Sequence, residues 1–228
     1  YALGSVLGHV LLHQTINGNE AILQMEQAGD YPDIIVGCTG GGSNLAGLMF
    51  PFLGQQLRGG QKIDIIGCEP LSCPSFTKGK YAYDHGDMAR MTPLIKMHTL
   101  GSDFLPPANH SGGLRYHGMS YHLSHLYDLG LMRAKAYGQK DCFEAGVIFG
   151  KQEGIIPAPE GNHAVKGAID AALECKEKGE SKTILFNLCG HGHFDMTAYD
   201  DFFSGRLADD FYDEDTANKS LSALPEIA

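Results

Sequence analysis

The clearest periodicity in the chain lies between Gly161 and Lys178, where Ala164, Val165, Ala168, Ile169, Ala172 and Leu173 recur at the spacing of one helical face. Elsewhere the apolar positions come in short runs: Ile34-Ile35-Val36, Ile63 to Cys68 broken only by Asp64, and Thr183 to Cys189. Runs of that kind read as strands covered on both faces, the habit of parallel sheets. The pattern predicts a helix rich in His and Leu over 8–24, a second over 44–57 behind the first strand, and a short strand followed by a helix over 140–149 within 132–150. Strands alternating with helices give an α/β fold of three layers, a mainly parallel sheet with helices on both faces. Between about 71 and 120 the pattern weakens around Pro74, Pro93, Pro106 and Pro107. That stretch is too long for a plain connection and reads as an irregular insertion or a functional loop region. The expected organisation is one α/β domain over 1–205 and an acidic tail over 206–228, which either packs as a final helix or stays loose.

The chemistry concentrates where the first strand stops. Ile34-Ile35-Val36 runs into Gly37-Cys38-Thr39-Gly40-Gly41-Gly42-Ser43-Asn44 and then into a helix-like stretch. Consecutive glycines let backbone N–H groups crowd an anion, and a helix N-terminus adds a favourable dipole. Ser43 and Asn44 can add side-chain donors. The spacing is not G-x-G-x-x-G, and no Gly-Lys-Ser/Thr follows, so neither a dinucleotide site nor a P-loop is indicated. A single phosphate group held by backbone is the better reading. Ligands of such sheets bind at the carboxyl ends of strands, where Gly40, Glu69 and Cys189 are all expected. Glu69-Pro70 reads equally as a strand cap or as a pocket wall.

Composition narrows the rest. A chain of 228 residues with 43% hydrophobic content is long enough for a real core. Its formal charge of -10, with no basic cluster, argues against nucleic acid or an anionic membrane as partner. No apolar run approaches the roughly 20 residues of a membrane helix. The six cysteines form no C-x-x-C pair, and reduced thiols in a cytoplasmic protein are the expectation. Cys38, Cys68 and Cys189 end apolar runs, where a small buried hydrophobe is welcome; Cys189 as a reactive thiol has only its position in favour. His191 and His193, with Asp195 nearby, could suggest a metal site, but two histidines at i and i+2 in a glycine turn fall short of the three-ligand set a catalytic zinc wants. No metal is therefore expected from the residues. Tyr1 is not a methionine, and Leu3 to Gln24 reads as the middle of something, as in a processed chain or a piece of a longer one.

Six blocks together resemble the tryptophan synthase beta chain, in particular its divergent beta-chain-like group. They are Leu3-Gly4-Ser5-Val6-Leu7, Gly40-Gly41-Gly42-Ser43-Asn44, Gly113-Leu114-Arg115-Tyr116-His117-Gly118, Glu153-Gly154-Ile155-Ile156-Pro157-Ala158, Glu160-x-x-His163-Ala164, and Asn187-Leu188-Cys189-Gly190-His191-Gly192. The resemblance implies a pyridoxal 5′-phosphate lyase of fold type II, of which this chain is the C-terminal half. It implies that Gly40, Gly41, Gly42, Ser43 and Asn44 hold the cofactor phosphate. Cys189, with Gly190 beside it, would meet the pyridine nitrogen where the family often has serine, and Glu160 would assist catalysis. A monovalent cation at the carbonyls of Gly40, Tyr116 and Gly118 is implied in the same way. Two departures matter. Arg115 stands where the family has aspartate, which puts regulation by an alpha chain in doubt. The family's Schiff-base lysine, carried in a His-Lys-x-Asn motif, has no counterpart here.

The implied activity is condensation of L-serine, or an activated serine, with indole to give L-tryptophan. It requires a complementary N-terminal half-chain carrying His-Lys-x-Asn, and a homo- or hetero-oligomer that covers the apolar surface left by the missing half. A non-catalytic phosphate-ligand or protein-interaction domain is the alternative from another class, and a serine or threonine dehydratase-like lyase shares the fold.

Overall fold

All five residues Ile34–Cys38 are buried, as a strand must be when helices cover both its faces. The computed structural model describes residues 4–209 and 211–226, so Tyr1, Leu3 and Asp210 lie outside the described residues. Along the chain α1 (Gly8–Ala28), β1 (Ile34–Cys38), α2 (Ser43–Leu57) and β2 (Asp64–Pro70) come first. A hairpin of β3 (Lys80–His85) and β4 (Leu94–Thr99) follows, then a 3-10 turn at Gly112–Leu114. The remainder is α3 (Tyr121–Asp128), β5 (Arg133–Tyr137), α4 (Gln139–Glu153), α5 (Pro159–Lys178), β6 (Ile184–Phe186), α6 (Met196–Phe203) and α7 (Glu214–Leu221).

The main sheet has the strand order β5-β2-β1-β6, and each of its pairs is parallel. Alternation along each strand sorts the apolar side chains into two layers. Ile35 and Ile65 join Leu11 of α1 and Leu45, Met49 and Phe52 of α2 on one face. Ile34, Val36, Ile66 and Cys68 join Cys142 of α4 and Ala171 and Cys175 of α5 on the other. The three-layer expectation is met. On the first face α1 and α2 approach backbone to backbone: a Cβ on Gly18 would lie 2.4 Å from the Leu48 carbonyl oxygen, and one on Gly47 would lie 2.5 Å from that of Gln14. This close crossing carries Gln14 to the start of α2, where its Nε2 donates to Ser43 Oγ at 3.2 Å.

Two expectations change. The stretch 71–120 is not irregular throughout, because β3 and β4 pair antiparallel from Lys80↔Thr99 to His85↔Leu94. Its alternation is faint because polar groups share the inner face with Met97: buried Asp84 accepts from Thr99 Oγ1 at 2.7 Å. The last sheet strand stops at Phe186 instead of reaching Cys189. Asn187 turns the chain away, its Nδ2 donating to Asn44 Oδ1 at 2.8 Å. The tail takes the first of its two alternatives, with α7 as a final helix. Leu207 sits with Phe143, Ala198 and Tyr199, and Ala217 of α7 is buried against Cys73, Leu100 and Phe104 of the insertion.

Candidate functional site

At the carboxyl end of β1 the chain turns through Gly40, Gly41 and Gly42 and enters α2 at Ser43. Gly42 takes φ 98°, left-handed backbone that favours glycine. The other two glycines are required by contact. A Cβ on Gly40 would lie 2.6 Å from the Gly113 carbonyl oxygen, and one on Gly41 would lie 2.3 Å from Ser5 Oγ. The Gly41 carbonyl accepts from the Ser120 N–H at 2.9 Å, which ties the loop to the cap of α3. Above the loop lies a cavity of about 150 Å³ lined by Ser5, Cys38, Gly40 to Asn44, Gly113, Leu114, Glu160 and Cys189. The first N–H groups of α2 have no acceptor within their own helix, and the helix dipole favours an anion at that end.

Glu160 enters from the first turn of α5, directly after Pro159 at the helix start. Its Oε1 accepts from the Gly113 N–H at 2.8 Å. The carboxylate thereby pins the 3-10 turn that presses on Gly40. Cys189 comes from the loop after β6, and its Sγ lies 3.5 Å from Cys38 Sγ. The hydrogen bond with Cys38 lowers the Cys189 thiol below its ordinary value, against burial and the charge of Glu160, which raise it. The fully buried Cys38 moves the opposite way, raised by that same hydrogen bond and by burial. Cys189 is thus the more acidic partner of the pair.

The sequence placed Gly40, Gly41, Gly42, Ser43, Asn44, Glu160 and Cys189 at one site, and all seven line this one cavity. Gly190 stands just behind it, its carbonyl accepting from the Ala158 N–H at 2.9 Å. Asn44 has a second task, holding Asn187. Glu69 lies elsewhere. It is fully buried, accepts from the N–H groups of Phe76 and Thr77 at 2.9 Å each, and so organises the loop after β2. Of the three carbonyls implied for a cation, that of Tyr116 accepts the Cys73 thiol at 2.8 Å, and Gly118 bridges to Thr99 beside β4. Only Gly40 of the three is part of the cavity lining. His191 and His193 are bound to each other, His193 N–H donating to His191 Nδ1 at 3.3 Å. From sequence Cys38 is only a core filler; its place between the last strand residues and the glycine loop is the signal that its thiol reaches the ligand side. Ser5 and Gly113 carry no chemical signal of their own.

Residues 11–190 match the pyridoxal-phosphate dependent enzyme family. The chain belongs to that family. Among curated relatives of this pyridoxal-phosphate family member, the tryptophan synthase beta chain 2 of Aquifex aeolicus is 58% identical over 212 residues, covering 92% of this chain and 49% of its own length. The protein of that name from Methanosarcina mazei is 58% identical over 207 residues, covering 91% of this chain and 47% of its own length. The tryptophan synthase beta chain of Pyrococcus horikoshii is 50% identical over 225 residues, with 99% and 48% covered. The chain therefore spans about half the length of the curated relatives it matches. Among solved structures, the L-serine ammonia-lyase of Rhizomucor miehei superposes with a TM-score of 0.62 at 14% identity, covering 88% of this chain and 58% of that one. A threonine deaminase from T.th. gives 0.56 at 16% identity, with 82% and 53% covered. These two show the fold, which is that of the fold type II enzymes.

Proposed function

We propose that the cavity binds pyridoxal 5′-phosphate and that the chain is the phosphate-holding part of a tryptophan synthase beta-type lyase, which condenses L-serine or an activated serine with indole to give L-tryptophan. One observation carries the reading: Gly40 to Asn44, Glu160 and Cys189, distant in sequence, line one cavity whose lining contains no lysine. The residues fit the group. The glycine floor leaves no room for a Cβ at Gly40 or Gly41, so the backbone amides can approach a phosphate closely. When bound, the cofactor supplies an electron sink for the amino acid's reacting carbon.

The chain's own residues then have separable tasks. The amides from Gly41 to Asn44 and the α2 dipole would bind the phosphate. Gln14, by donating to Ser43 Oγ, orients that hydroxyl so that its own proton is free to point at an anion. Cys189 would present its thiol to the ring nitrogen; a thiol is a weak hydrogen-bond partner, so the nitrogen stays unprotonated. Glu160 would hold the 3-10 turn closed and keep a negative charge beside the ring. The amine that carries the cofactor must come from a complementary, lysine-bearing half, in keeping with relatives twice as long. A cytoplasmic location fits six free cysteines.

The test is binding of pyridoxal 5′-phosphate to the purified chain by equilibrium dialysis, followed by borohydride and mass analysis. Binding that inorganic phosphate displaces, with no stoichiometric borohydride-fixed adduct, is the expected result; tryptophan then forms from serine and indole once a lysine-bearing half is added. Absence of binding would remove the cofactor reading. A phosphate-protected adduct on one of this chain's lysines would remove the need for a second half.

A further inference from the structure

We propose that Cys38 and Cys189 form a reversible disulfide that closes the cavity under peroxide stress. The two Sγ atoms lie 3.5 Å apart, in hydrogen-bond contact, at the wall of the cavity. A disulfide needs about 2.05 Å, so the sulfurs must close by about 1.5 Å. The two sides differ in their freedom to move. Cys38 is the last residue of a buried central strand paired on both edges. Cys189 lies three residues beyond the end of β6, in a loop, and is the one exposed cysteine of the six. The motion therefore falls to Cys189.

The chemistry is selective for this pair. Burial pushes the Cys68 and Cys73 thiols up to about 12 each and raises Cys142 well above its ordinary value. Those thiols stay protonated and out of reach, whereas Cys189 is lowered by Cys38. The thiolate is the form that peroxide oxidises. Cys189 sulfur attacks one oxygen of hydrogen peroxide; the S–O bond forms, the O–O bond breaks, and the departing hydroxide leaves as water with the thiol proton. The Cys38 sulfur then attacks the Cys189 sulfenic sulfur. The S–S bond forms, the S–O bond breaks, and a second water leaves with the Cys38 proton. Two thiols are oxidised and one peroxide is reduced to two waters. Attack within a pair already in contact outruns further oxidation of Cys189, and a dithiol reverses the bond.

Closure carries a functional consequence that rests on the proposed cofactor reading. The disulfide removes the Cys189 S–H and draws the loop after β6 toward β1, so the ring-facing wall of the cavity is lost while the glycine floor stays.

The purified chain is treated with hydrogen peroxide and unfolded in urea, its remaining thiols are alkylated, and its peptides are mapped by mass. A linked Cys38–Cys189 peptide, lighter by two hydrogens and released by dithiothreitol, is expected, with the four other cysteines alkylated. In C38A, which removes the hydrogen bond that lowers Cys189, a Cys189 sulfenic acid that dimedone traps should form instead and more slowly, and C189S should leave every other thiol alkylatable. Wild-type chain that stops at Cys189 sulfenic or sulfinic acid, or that links other cysteines, overturns the disulfide. Affinity for pyridoxal 5′-phosphate should fall at least tenfold on oxidation and return with dithiothreitol, while affinity for inorganic phosphate changes less than threefold. Equal cofactor affinity of both forms overturns the closure. Failure of the reduced chain to bind the cofactor counts against the proposed function instead and leaves the peptide result standing.

Discussion

Replacing Gly40 by alanine tests the cradle at its tightest point. The new Cβ would meet the Gly113 carbonyl oxygen at 2.6 Å and the Leu114 Cα at 2.9 Å, whereas non-bonded heavy atoms settle at about 3.5 Å or more. Both neighbours are backbone and cannot rotate away. The turn that carries them is fastened by the Gly113 N–H to Glu160 bond of 2.8 Å and by the Leu114 N–H to Ser111 carbonyl bond of 2.9 Å. Relief requires the turn and the loop to part by about 1 Å, which costs about 1–3 kcal/mol for overpacking, or roughly 2–12 °C in melting temperature for a chain of this size. If the loop yields, one amide can no longer reach the anion. A hydrogen bond to a charged group contributes about 1.5–3 kcal/mol, so the dissociation constant for phosphate or pyridoxal 5′-phosphate should rise about 10- to 150-fold. Equilibrium dialysis and thermal melting of the same samples measure both effects. Gly112 is the control, since a Cβ there meets nothing within 4 Å; G112A should bind within about twofold of the parent. A G40A chain that melts lower yet binds both ligands unchanged would refute the reasoning, because the crowded loop would then not be the phosphate cradle.

Two further outcomes are expected. Burial, working against its hydrogen bonds to Thr77, Phe76 and Ser75, pushes the Glu69 carboxyl up from 4.5 to about 7. The folded chain therefore keeps a proton that the unfolded chain has lost between those values, and stability should fall by about 3 kcal/mol as pH rises through that window. Urea unfolding at pH 5 and pH 8 should show a steeper loss for the parent than for E69Q, and equal losses would exclude Glu69 as the cause. The charge of Glu160 raises the Cys189 thiol. E160Q should therefore speed iodoacetamide alkylation of Cys189 near neutral pH, and a slower or unchanged rate would show that the carboxylate does not face the sulfur.

Much of this molecule was readable from its residues because parallel sheets announce themselves. β1 and β2 are covered on both faces, and their apolar runs marked them to within one or two residues. α5 was visible from one face of alternating small and apolar residues. The hairpin in the insertion was not, because its inner face mixes buried Asp84 and Thr99 with Met97 and exposed Lys80, while Tyr81 and Tyr83 stand on the other face. No hydrophobic alternation records that arrangement. The early end of β6 was hidden for a related reason: Leu188 and Cys189 continue the apolar run, and only the tertiary bond from Asn187 to Asn44 turns the chain. At the site, the glycine loop was legible from local backbone chemistry. Cys189 was placed at a strand's carboxyl end by the apolar run before it, whereas Glu160 was reachable only through the resemblance. The 3.5 Å meeting of Cys38 with Cys189, across 151 positions, is a product of strand order alone.

The cavity draws its walls from five separated pieces of chain: Ser5, the segment from Cys38 to Asn44, the Gly113–Leu114 turn, Glu160 and Cys189. No helix, hairpin or half-sheet contains it. It comes into being only when these distant segments have closed together, after the slow, entropically costly long-range pairings have been made. A ligand seated there has nothing to hold in a partly folded chain, so all of its binding energy favours the finished state. During synthesis the cofactor would then serve as an inspector of completed folding, rescuing chains that have every wall in place and ignoring those that do not.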